Sequence, residues 1–375
     1  MNIPGEDVPG YQTIRVGAVE APVAALADLE AWQAHEEFPD IRFSGPVFGV
    51  ARERSHGGWE LHPYFGALAP QAARDSMGSH FRKLAHEAEQ SGDQAGHAEC
   101  LRAAEAMDRT ALDEVRVLGT RYRVVRADRF VRSGLAGPEP PRPSDPDPGE
   151  PGRAGVVPDR AAGFVIDPVT VTGMSEGILK LELLDAVYPE GAVPPEARAE
   201  CIEAARTHPG GVLLPAAFTV AELAGGRWRP AQTGTSATPQ GARDRLAGYL
   251  RVMAPWELGL DETERGVYAA AAAQLEAGRG SELVVAGRRF RVVRVERLIR
   301  IGPDGPEGPR PSDPDPEPPV MAQTQQSRQQ GGQASGDEDT PIELDEDAQR
   351  FARLFLEEEQ RRQARLRNQA PPRSA

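Results

Sequence analysis

VLGTRYRVVRADRFVRSG at residues 117–134 and VAGRRFRVVRVERLIRIG at residues 285–302 are two copies of one segment, and each runs into an identical PRPSDPDP, at 141–148 and 309–316. The copies stand a constant 168 residues apart, and a gapless match ending in eight identical residues is too long to be chance. The chain is a tandem duplication, so one conformation is needed twice. Valine and aromatic residues following Gly119 and Gly287 read as the second strand of a hairpin turned at those glycines.

The duplication extends upstream. Ala73, Arg74 and Asp75 answer to Ala242, Arg243 and Asp244, Trp59 to Trp228, and Pro39 to Pro209. Solenoid units run about 20 to 50 residues, so a period this long is a whole domain. A length of 375 residues suggests about two domains, and two similar domains in one chain usually pack about a pseudo-twofold axis.

Within one copy the opening helix spans Ala24 to Glu37, with Leu26, Leu29 and Trp32 on roughly one face; Ala197 to Arg206 is its counterpart. Extended runs at Val47 to Arg52 and Trp59 to His62, separated by paired glycines, read as a hairpin. Pro70 and Pro239 suit the first turn of a helix, and Met77, Phe81, Leu84, Ala85 and Ala88 form its apolar stripe. A second helix covers His97 to Ala111, or Asp261 to Ala277 in the other copy, where Asp261 and Glu264 have capping-box spacing. The fold class is α+β: two tandem related domains, each a small antiparallel sheet with helices on one face, ordered ββααββ after a leading helix. The boundaries are 1–150 and 151–319, each closing with a Pro-rich arm, then a disordered linker at 320–340 and a C-terminal amphipathic helix and tail at 341–375.

The 43 basic and 57 acidic residues leave a net charge of −14, which argues against attraction of the whole molecule to nucleic acid or an anionic membrane. Cys100 and Cys201 make no disulfide framework, and neither a signal peptide nor a run of about 18 apolar residues is present, so a soluble cytoplasmic protein is expected. Six of the seven histidines fall in the first copy, without HExxH spacing or a cysteine cluster. GxSxG, Walker and GxGxxG patterns are missing as well, so no metal, cofactor or catalytic residue is named.

The leading candidates for chemistry are Arg123, Arg126, Arg129 and Arg132, repeated as Arg291, Arg294, Arg297 and Arg300. Guanidinium groups in a row can hold phosphate or carboxylate bidentately. A strand, however, sends successive members of such a row to opposite faces, and a register of surface salt bridges is the favoured reading. The aspartates of PRPSDPDP suggest that each arm clasps back along its own sheet, near those arginines; a ligand for a proline-reading partner is the rival. Ser175 and Glu176 sit in a glycine-bounded turn that reads as a connector. Phe351, Leu354 and Phe355 make a narrow apolar strip on the last helix, which should dock onto a repeat or into a protein partner's groove.

The PRPSDPDP arms behind YRVVR and FRVVR, with TGMSEGILKLELL, HPGGVLLPAAFTVAE and VMAPWELGL, resemble an uncharacterised actinobacterial family of unknown function over roughly 10 to 319 and the terminal helix. The resemblance implies no activity and transfers no site residue. From the residues alone, the expected function is a non-catalytic cytoplasmic interaction or regulatory protein. The alternative is an enzyme or small-anion-binding protein with its site at the seam between the repeats.

Overall fold

Each half of the chain ends in a strand of 15 residues whose hairpin partner has only four. The computed structural model describes residues 9–18, 21–63, 65–150, 159–231, 233–329 and 345–369. The first half runs α1 (Pro22–Glu37), β1 (Asp40–Glu53), β2 (Trp59–Leu61), α2 (Pro70–Ser91), α3 (Gln94–Arg109), β3 (Glu114–Val117), β4 (Thr120–Gly134) and the two-residue β5 (Gly137–Pro138). After β6 (Val165–Ile166) and α4 (Met174–Asp185) the order recurs as α5 (Pro195–Thr207), β7 (Gly210–Ala224), β8 (Arg227–Pro230), α6 (Pro239–Arg251), α7 (Met253–Glu257), α8 (Glu262–Ala277), β9 (Glu282–Val285), β10 (Arg288–Gly302) and β11 (Gly305–Pro306). Then come α9 (Val320–Gln329) and α10 (Glu346–Gln369). The equivalent Val124 and Val292 fall in the equivalent strands β4 and β10.

Both closing hairpins turn on two left-handed residues, Leu118 and Gly119 (φ 50° and 74°) and Ala286 and Gly287 (φ 47° and 77°). Such a turn matches the twist of its strands, and this locks the short β3 and β9 onto the start of β4 and β10. The rest of each long edge still needs hydrogen-bond partners. The other half supplies them. The Arg126 N–H donates to the Glu307 carbonyl and the Arg294 N–H to the Glu139 carbonyl, both at 2.9 Å. Between these points β4 and β10 pair antiparallel, with Arg129 opposite Arg297 and flanked by Asp128 opposite Leu298 and Phe130 opposite Glu296. Arg129 and Arg297 are equivalent positions of the repeat, so a local twofold passes between them. Among the described residues the α+β class therefore takes the form of one 11-stranded antiparallel sheet, ordered β6-β2-β1-β4-β10-β7-β8 along its main path, rather than two small sheets.

The arms follow the same exchange. Sequence reading placed each on its own sheet, but each crosses to the opposite half, because the unpaired edge it can cover lies there. Gly305 packs against the Trp59 indole and Gly137 against the Trp228 indole so closely that a Cβ at either would overlap the ring.

Side-chain alternation divides the sheet into two faces. On one, α2 and α3 cover Phe48, Val50, Tyr122 and Val124, while α6 and α8 cover Phe218, Val220, Phe290 and Val292. Leu179 and Leu183 of α4 close the centre over Phe130 and Leu298. On the other face Val125, Ala127, Ile299 and Ile301 pack with Trp59, Phe65 and Ile166.

The apolar face of α1 lies outward: Leu26, Leu29 and Trp32 are 49%, 55% and 43% exposed. Polar groups hold α1 instead: Asp28 receives the Ser175 N–H and hydroxyl, and Glu30 those of Ser144. Residues 320–329, read as disordered linker, form α9, since VMAQTQQSRQ contains no glycine or proline and packs on α3; residues 330–340 lie outside the described ones. Of the docking places left open for the last helix, α10 takes the second half, against α6 and α7. No helix among the described residues is long and apolar enough to cross a membrane.

Candidate functional site

The period of β4 and β10 sends Arg126 and Arg132, with Arg294 and Arg300, to the helix-covered face beside Val124, Phe130, Val292 and Leu298. Arg123, Arg129, Arg291 and Arg297 go to the other. The row does form ion pairs, but largely buried ones: Arg126, Arg132, Arg291 and Arg297 are between 2% and 5% exposed. The expected surface register is corrected on this point, because the crossing arms, α4 and neighbouring loops cover the rows.

On the helix face Arg126 pairs with Asp128 at 2.7 Å and Asp313 at 3.0 Å, and Arg310 joins through Glu307 at 2.6 Å. The second half repeats the cluster: Arg294 meets Asp145 at 3.1 Å and also Glu296, and Arg142 meets Glu139 at 2.7 Å. Burial opposes charge at Arg126, yet Asp128, Asp313 and Glu307 hold its guanidinium above the usual range. Farther along the arms, Asp315 accepts from Arg74 and the Gln71 N–H, while Asp147 accepts from Arg243 and the Gln240 N–H. Ser312 donates to Glu200 as Ser144 does to Glu30. The arginine, serine and aspartates of PRPSDPDP are thus all engaged inside the chain. Arg132 is held by Glu182 and the Phe38 carbonyl.

On the opposite face Arg123 binds Glu114 and Asp304 and lies 5.1 Å from the centre of the Trp59 ring. Arg291 binds Glu282 and the Pro138 carbonyl and lies 4.9 Å from that of Trp228. Among the described residues, Arg129 and Arg300 are the two row members with no carboxylate at ion-pair distance. Arg300 is enclosed, with one donor to the Leu184 carbonyl. Arg129 is only half-buried.

Arg129 sits where the twofold crosses the sheet. Its Nε donates to the Gly45 carbonyl at 3.2 Å and its Nη1 leans toward the Thr235 hydroxyl at 3.5 Å. Beside it, Arg297 donates to the equivalent Pro215 carbonyl at 2.6 Å and to Asp159 at 3.2 Å. Gly45 and Pro215 stand in register shifts of β1 and β7, where the extra residues turn a carbonyl toward each guanidinium. Burial and the neighbouring Arg297 charge both lower the Arg129 pKa. The seam therefore holds two cations and one carboxylate. The arginines were legible in the sequence; Gly45, Pro215, Asp159 and Thr235 were not, because only the pairing of β4 with β10 brings them there.

Other candidates lie apart from the seam. Ser175 and Glu176 open α4, and Ser175 lines a shallow cleft with Trp32, His35, Arg132 and Arg142. Burial raises the Glu176 carboxyl pKa. The His62 and His80 rings touch at 4.3 Å, and His35 meets Glu182 at 3.1 Å. No three His, Cys, Asp or Glu residues among the described ones could hold a metal ion together. On α10 Leu354 is buried and Phe351 packs edge-on against Trp256 at 5.5 Å, whereas Phe355 is 54% exposed.

A family model described as a family of unknown function (DUF5954) matches residues 21–316. No curated protein and no solved structure matches the chain.

Proposed function

We propose, for a chain that belongs to the DUF5954 family and takes no activity from that membership, that it is a regulatory protein holding a small anion at the seam between its two halves. The observation that carries this reading is Arg129: a half-buried guanidinium, next to a second one, that lacks a carboxylate partner among the described residues. A partly desolvated cation beside another cation is costly unless an anion completes it. Its placement on the twofold gives one site per chain. A cytoplasmic location belongs to the same reading, supported by the buried free thiols of Cys100 and Cys201.

The test is a thermal-shift screen of the full chain against small anions, with Arg129→Gln beside it. An anion at about 100 times its Kd should stabilise the wild type by about 2.7 kcal/mol and leave the variant unshifted. A screen flat for every anion, or equal shifts in both proteins, would reject the seam.

A second reading, a protein interaction surface, is favoured by the outward Leu26, Leu29 and Trp32 of α1 and by Phe355 of α10. It predicts a partner-dependent or self-associated state that Leu29→Asp weakens, read by sedimentation. Monomeric behaviour unchanged by the variant, with no partner recovered, counts against it.

A further inference from the structure

We infer that the seam site selects a small monocarboxylate over phosphate, an inference that rests on the anion-binding reading and narrows it to a ligand class. The charge at the site decides between the two. Arg129 and Arg297 contribute two positive charges and Asp159, bound to Arg297 at 3.2 Å, returns one negative. Among the described residues the balance is a single positive charge. Arg245 bonds the Thr233 carbonyl and Ser236, but it is solvent-exposed, so its charge is screened.

A monoanion therefore neutralises the seam, whereas a phosphate dianion leaves a negative charge over a half-buried surface. Donor geometry points the same way. Gly45 occupies Nε of Arg129, which leaves the Nη1 and Nη2 end of the fork, two parallel donors that match the two oxygens of one carboxylate. The Thr235 hydroxyl, 3.5 Å from Nη1, is placed to donate to one of those oxygens. Arg297 adds field rather than a contact, since the Pro215 carbonyl and Asp159 already engage its Nε and both terminal nitrogens.

Isothermal titration of the full chain at pH 8 and constant ionic strength, with propionate, inorganic phosphate and neutral propionamide as probes, tests this. Propionate should bind at least about tenfold more tightly than phosphate, the effect of one net charge in a half-buried site, and propionamide should not bind. Asp159→Asn raises the site to two positive charges and should reverse the preference. Circular dichroism and the melting transition establish that the variant is folded. Thr235→Val, a milder change, should weaken propionate severalfold without altering the melting transition. Phosphate binding as tightly as propionate to the wild type, or an unchanged preference in folded Asp159→Asn, overturns the carboxylate assignment while the anion site survives. Binding of none of the probes, or propionate binding unaffected by Arg129→Gln, overturns the site itself.

Discussion

Taking a guanidinium out of water costs several kcal/mol, and at Arg126 the cost is offset by Asp128 and by Asp313 from the crossing arm. Removing Asp313 leaves that buried charge underneutralised. Asp313→Ala should therefore lower unfolding free energy in urea by about 3–5 kcal/mol, and Asp145→Ala, its equivalent beside Arg294, by a similar amount. A loss under about 1 kcal/mol at both positions would mean that the arms contribute no more than surface pairs do. His62 gives a pH prediction of definite sign. Burial, then the His80 and Arg52 charges, lower its pKa from 6.5 to about 4, so the native state holds it neutral while the unfolded chain takes up the proton near 6.5. The unfolded state then binds more protons as pH falls, so the contribution is fully present above about pH 6.5 and is lost progressively toward pH 4. A melting temperature recorded from pH 8 to 4 should fall across that window, and less steeply in His62→Phe. Identical slopes would assign the acid sensitivity to other groups.

Among the elements, each arm depends on a glycine at its start and each long strand on the arm it receives. Gly305 has φ 107° and no room for a Cβ against Trp59. Gly305→Ala should cost about 1–3 kcal/mol from backbone strain alone, and more if the Trp59 ring is displaced. Gly137→Ala repeats the test at Trp228, and tryptophan fluorescence reports both rings. The last helix makes a separate contribution. Glu276 accepts from Arg251 within the second half and from Arg361 and Arg365 of α10, while Leu354 is buried. Ending the chain after residue 344 should lower stability by at least the roughly 1.5–3 kcal/mol of one buried leucine, seen as a lower melting temperature. An unchanged melt would show that the α10 contact contributes nothing net.

At the scale of the molecule the halves share strand edges, arms and the α4 cover, so neither keeps a complete sheet edge alone. One cooperative transition is expected, with calorimetric and van't Hoff enthalpies that agree. A sharper test inserts a protease site within 151–158 and cleaves the folded chain. The two pieces should elute together from a sizing column and separate only in denaturant, because the cross-half contacts survive the cut. Separation in native buffer would show that the exchanged arms do not hold the halves together.

Local pattern and duplication were enough to read much of this protein. The period-2 runs, the paired positions of Val124 and Val292, the helices after Pro70 and Pro239 and the capping box of α8, formed by Asp261 and Glu264, all follow from interactions over a few residues. The same reading found the arginine rows and saw that successive members must face opposite ways. It placed the arms on the wrong half, because a strand's own residues do not say whose edge its excess length will meet. It marked Leu26, Leu29 and Trp32 as one helix face, but an apolar stripe names no neighbour, and that face is exposed. Only the antiparallel pairing of β4 with β10 decided that Arg129 and Arg297 meet on a twofold, with Asp159 and Thr235 beside them. Hydrogen-bond satisfaction along a 15-residue edge is a tertiary demand, and it is met by residues more than a hundred positions away in the chain.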